Sequence, residues 1–113
     1  MRREAKKYLF DMQQAVTLLT SFTHGKSFAD FSADPLLRSG VERQFEIVGE
    51  ALTHLAKEDA EVAASISDFR RIIAFRNILI HGYADVDHRL VWDVVETKLP
   101  VLAAQLEELL AHD

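Results

Sequence analysis

Three long stretches of this chain space their apolar residues four and three apart, and that spacing is the strongest constraint on what the sequence can fold into. Residues 3–24 carry Tyr8, Met12, Ala15, Leu19 and Phe22, widened by Leu9, Val16 and Leu18. Residues 35–58 carry Leu37, Val41, Phe45, Val48, Leu52 and Leu55. Residues 88–111 carry Val95, Leu99, Leu102, Leu106 and Leu109. At 3.6 residues per turn each set lines one face of a helix, whereas a strand would need alternation. Only four Gly and two Pro interrupt 113 residues, so long helices with short connections are expected.

The punctuation fits. His24-Gly25 is a helix stop, and His24 suits a helix C-terminus as a cation. Residues 26–34 form a connection in which Phe28 and Phe31 tuck back onto the core in a short helical turn. Asp34-Pro35 is a start signal, with Asp as N-cap and Pro at the first helical position. Gly49 sits in the middle of the second helix at a cost of up to about 1 kcal/mol against Ala, which suggests close approach of another backbone, within the bundle or across a dimer. The Ala-rich residues 59–66 read as one or two turns, and Ser67 or Asp68 caps a helix over 68–81. Asp87 caps the last helix, where Trp92 can cover the 68–81 helix or contribute to an interface and Pro100 predicts a kink. The fold class that follows is all-α, an up-and-down bundle of four main helices plus short helical turns in one domain, 1–113.

At 49% hydrophobic and 27% charged residues, the chain has the make-up of an ordinary globular protein. No apolar segment is long enough to cross a bilayer and no signal-peptide core follows the basic start, so no membrane role and a cytoplasmic location are expected. Without cysteine there is no thiol chemistry. The net charge of −5 argues against tracking along a duplex, where affinity grows with the number of phosphates neutralised. Residues 70–83 nevertheless hold Arg70, Arg71 and Arg76 and no acid, a local +3 that leaves −8 to the rest. Such a patch suits contact with a few phosphates, although Arg70 and Arg71 can equally solvate a helix start.

That patch overlaps the most apolar run of the chain, Ile72 to Tyr83, which reads as a buried helix ending at Gly82, a residue able to take the left-handed conformation past a helix end. Arg76, Asn77 and His81 lie inside it. Asn77 and His81 share a face, whereas Arg76 is about 100° from Asn77 and roughly 140° from His81. Arg76 and His81 converge only if the helix end frays, if the Arg side chain bends across, or if a second copy faces the first. Burying three such groups is costly unless each is paired.

The string Arg76-Asn-Ile-Leu-Ile-His81-Gly-Tyr83 resembles the Arg-x4-His-x-Tyr signature of the HepT-like branch of the HEPN superfamily, and Val41 to Ala51, with its Gly49-Glu50-Ala51, is similar to the same branch. The resemblance implies a metal-independent endoribonuclease without cofactor, the toxin of a type VII-like toxin–antitoxin system, acting on RNA. It implies a symmetric homodimer whose two Arg/His sets line one cleft. It also implies a partner, a minimal nucleotidyltransferase antitoxin that transfers AMP to Tyr83; the added bulk and negative charge would block a cationic phosphate site.

The residues suit that chemistry. RNA cleavage by its own 2′-OH needs a base, an acid for the leaving 5′-oxygen and a cation for the charge developing at phosphorus. His81 suits proton transfer, because histidine ordinarily titrates near neutrality. Arg76 suits the phosphate, with its permanent charge and forked donors. Asn77 can position phosphate or imidazole, Arg71 adds charge, and Tyr83 can stack on a base. Glu50 is a possible support for Arg76 or His81, or simply a solvated helix charge. The alternative function is a catalytically silent module that binds a nucleotide or docks the nucleotidyltransferase. Two further patterns fail: His81, Asp85, Asp87 and His88 match no metal-ligand spacing, and Ser39-Gly40 with Asp85-Val86-Asp87 lacks the strand a nucleotidyltransferase needs. His54 and His112 read as surface residues.

Overall fold

The computed structural model describes residues 1–82 and 84–112, and among these every regular element is a helix. They are α1 (Arg3–Thr23), α2 (Phe28–Ala33), α3 (Pro35–Glu58), α4 (Ala60–Ala64), α5 (Phe69–His81), α6 (His88–Thr97) and α7 (Leu99–Ala111). The long helix α1 packs along α3 and against α7, and α3 in turn carries α5. The body measures 42 × 28 × 19 Å. No helix among the described residues is long and apolar enough to cross a membrane.

The stripes form the core. Leu9, Met12, Val16 and Leu19 of α1 meet Val41, Phe45, Val48, Leu52 and Leu55 of α3, closed by Leu102 and Leu106 of α7. Tyr8 and Phe22 lie at the edge of this cluster, and Leu18, expected to widen the α1 stripe, is exposed. Leu9 and Val16 pull the centre of the buried face to one side of the line through Tyr8 and Phe22.

The start signals act as read. The Asp34 carboxylate accepts from the amides of Leu36 and Leu37, with Pro35 in the first turn of α3. Asp87 does the same for Arg89 and Leu90 at α6. Gly25 takes a left-handed φ of 72° after α1. The connection contains the six-residue α2, opened by a reciprocal pair of bonds between Ser27 and Asp30. That bonding, above all the Ser27 backbone amide donating to the carboxylate, holds the Asp30 pKa below its ordinary value.

Three expectations are corrected, and Trp92 gains a role. Gly82 ends α5 at φ −104°, ψ 21° and not in the left-handed region; its amide still donates to the Ile78 carbonyl at 2.8 Å. Asp68 is the residue before α5 but makes no capping bond. It adopts left-handed φ 59°, and its carboxylate instead accepts from Lys98 Nζ at 2.6 Å. The last helix is broken at Lys98, with Pro100 in the first turn of α7, where its missing amide has no helical partner to lose. Trp92 is buried against Phe31, ring centroids 5.2 Å apart, so it also anchors α2.

Candidate functional site

The site begins at the place where α3 and α5 touch. A Cβ on Gly49 would lie 2.2 Å from Arg76 Cβ and 2.7 Å from its Cγ, with the Ile72 carbonyl oxygen at 3.5 Å. Ile72 and Arg76 are one turn apart on α5 and straddle the glycine. The expected close approach is therefore within the bundle, and the groups that meet are a backbone and the stem of the signature arginine. Phe45 and Phe75 pack edge to face beside it at 5.3 Å, which holds the crossing.

Seated there, Arg76 is half-buried. Its Nε is buried without a hydrogen-bond partner, and its Nη1 donates to the Asn77 side-chain oxygen at 3.0 Å. The long side chain thus bends from its own face to that of Asn77, one of the ways of approaching His81 that the spacing left open. Asn77 and His81 are both exposed on that face, and His81 is the last residue of α5. A permanent cation, an amide and an imidazole thus lie along the second half of one helix, the first two in direct contact.

The other sequence candidates lie elsewhere. Arg71 is exposed on a different flank of α5, close enough to Asp68 to help lower its pKa behind the larger effects of Lys98. No hydrogen bond or ion pair joins Arg71 to Arg76 or Asn77 among the described residues. The Glu50 carboxylate lies 4.0 Å from His54 Nε2 on its own helix, and His54 stacks on Tyr8 at 5.3 Å. Glu50 is therefore turned towards α1. Tyr83 lies outside the described residues. His112 bonds the Glu108 carbonyl at 3.1 Å on the surface.

One expectation is overturned here and one feature is new. The run from Ile72 to His81 is not a buried helix: only Phe75 and Leu79 are buried, and Ile78 is 46% exposed. Together with Leu90, 39% exposed, Ile78 flanks an apolar groove of about 270 Å³ between α3, α5, α6 and α7, with Arg71, Asp68 and Lys98 at its rim. The new feature is Glu42, whose pKa is raised, first by burial, with His88 and Arg38 opposing and Glu46 adding. Its only sequence signal is an acid two turns before Gly49 on the same face of the helix. Asp87 is engaged as a cap and His88 packs edge-on to Phe31, and no group of three or more His, Asp or Glu side chains among the described residues could hold a metal ion.

Comparison with known proteins covers nearly the whole chain. Residues 12–109 match the family model described as "Ribonuclease HepT-like". A protein from Caldanaerobacter subterraneus subsp. tengcongensis named "Putative RNase TTE0752" is 34% identical over 108 residues, 96% of each chain. One from Thermococcus cleftensis named "Probable ribonuclease HepT" is 34% identical over 109 residues, 96% of this chain and 98% of its own. "Putative RNase MJ1380" of Methanocaldococcus jannaschii is 27% identical over 106 residues, 94% of this chain and 96% of its own. No solved structure matches.

Proposed function

The chain belongs to the HepT-like ribonuclease family and is an endoribonuclease, and from that premise we propose that Arg76 and His81 are its cutting groups. The observation that carries this reading is the seat of Arg76: a cation lodged against a glycine, with one nitrogen turned onto Asn77 and towards the face of His81. In this reading the 2′-OH of the nucleotide before the break attacks the adjacent phosphorus, and its proton passes to a base. The P–O5′ bond breaks and the leaving oxygen takes a proton from an acid, giving a 2′,3′-cyclic phosphate and a 5′-hydroxyl. His81 serves in proton transfer. Arg76 holds the non-bridging oxygens as charge grows on them, released from or shared with Asn77. No step requires a metal ion.

One chain supplies one histidine for two proton transfers. A homodimer would bring a second, and the solvent-facing Ile78 and Leu90 beside an apolar groove support a covering copy. The whole of 1–113 would act as a single HEPN-like domain of a cytoplasmic toxin, silenced when a nucleotidyltransferase antitoxin transfers AMP to Tyr83.

The test is cleavage of an end-labelled RNA panel in EDTA by the protein, by His81→Ala and by Arg76→Ala. Cleavage with a cyclic phosphate end, lost in both variants, is expected. Cleavage that survives in both would move the site away from the signature, and RNA binding without cleavage by the parent would leave a silent binding module.

A further inference from the structure

Arg89 and Phe28 are 61 positions apart, and the fold sets one on the other. The Arg89 guanidinium carbon lies 3.9 Å from the centre of the Phe28 ring, within van der Waals reach, whereas the other cations found over rings, Lys7 on Tyr8 and Arg70 on Phe69, stand at 5.1 and 5.0 Å beside sequence neighbours. Arg89 is exposed, so its outer side faces solvent. Its side chain makes no hydrogen bond or ion pair among the described residues. A permanent cation with one side covered, one side open and its forked donors unused is an incomplete arrangement.

The pair is held from both ends. Ser27 and Asp30 close the first turn of α2, where Phe28 is the first residue. Phe31, one turn on, is fully buried beneath Trp92 and has the His88 ring edge-on at 6.3 Å. The Asp87 carboxylate accepts from the Arg89 amide itself at 2.9 Å. The Arg89 backbone is held and its guanidinium already rests on the ring before any ligand arrives, which lowers the ordering cost of binding. The position also matters. The Asp85 amide donates to the Gly82 carbonyl at 2.8 Å, so α5 and α6 are joined by a closed turn. Gly82 and Asp87 are then within about 14 Å of one another, a turn span plus two further residues.

We propose that Arg89, supported by Phe28, is a stacking subsite for an unpaired base of a single-stranded RNA substrate. It rests on the ribonuclease reading above and adds to it a preference among substrates. A guanidinium plane accepts a base on its open side, and its edge donors reach an adjoining phosphate. Base stacking tolerates any sequence but requires the base to be unstacked from its neighbours. Duplex RNA therefore gains nothing from this subsite.

The experiment uses His81→Ala, which retains the subsite, and a short single-stranded oligoribonucleotide carrying 2-aminopurine, read by fluorescence on titration. Arg89→Met keeps an apolar stem over Phe28 and removes the charge; Arg89→Lys keeps charge and stem and removes the plane. Both should weaken single-strand binding about tenfold and leave the melting temperature within a degree or two; binding of a matched duplex should be unchanged in Arg89→Lys and fall in Arg89→Met only by the effect of one lost charge. In the His81-containing protein both should raise KM with kcat retained. Full binding by Arg89→Lys would reduce the site to simple charge attraction and overturn the proposal. Unchanged binding by both variants would make Arg89 only a cover for Phe28. Cleavage by the parent with unchanged KM in the variants would remove the subsite while leaving the ribonuclease reading intact; a parent that neither binds nor cuts RNA would remove both.

Discussion

At the scale of single residues the decisive contact is Gly49 against Arg76. A methyl group placed there overlaps the Arg76 stem, so one of the two helices must shift. Gly49→Ala gains up to about 1 kcal/mol in helix propensity, but overpacking at a fixed crossing costs roughly 1–3 kcal/mol. The net expectation is a lower urea midpoint together with lost cleavage, since the displaced group is the proposed phosphate clamp. A variant as stable and as active as the parent would show that the crossing yields freely. Asn77 acts on the same arginine more gently. Asn77→Ala removes one exposed hydrogen bond, of the order of 1 kcal/mol, and should slow cleavage severalfold with little change in melting temperature. The glycine was legible in the sequence as an anomaly in mid-helix. Its partner was not, because nothing in the spacing says which of the other helices crosses at that point.

At the scale of elements, the helices begin where short polar side chains can satisfy their first amides. Asp34→Ala strips two bonds from the start of α3 and should lower stability by about 0.5–2 kcal/mol in denaturant unfolding. Glu42, on the same helix, gives a pH dependence. Burial raises its folded pKa above the unfolded value, so the folded state holds the proton more tightly. Its contribution to stability is greatest below the ordinary carboxylate range and falls as pH rises through that range to the raised pKa. Glu42→Gln lacks this loss, so its melting temperature should exceed the parent's at neutral pH, with the advantage shrinking in acid. An advantage constant with pH would mean that Glu42 is not the group responsible. Helix starts were legible because capping is local chemistry. The two ends of α5 were less so: the Gly82 amide bonds back to Ile78 without a left-handed turn, and Asp68 is drawn away from capping by Lys98, thirty residues distant.

For the whole molecule, the question is what covers the α5 surface. Ile78→Glu places a charge on an already exposed position, so the folded protomer should tolerate it. If two copies meet there, the variant should sediment as a monomer and lose cleavage with its melting transition intact; a dimer that persists would put the contact elsewhere. The sequence by itself determined the all-α class, the extent of α1 and α3, the core stripes and the Arg-Asn-His grouping, because helical period, caps and short-range spacing are set by neighbours along the chain. Only the tertiary structure decided that Arg76 rests on Gly49 and bends to Asn77, that Glu50 turns to His54, that Trp92 anchors α2, and that the most apolar run stays half exposed. Those outcomes depend on which faces meet at helix crossings and on contacts between residues far apart in the chain, and an apolar run reads the same whether its own bundle or another molecule is to bury it.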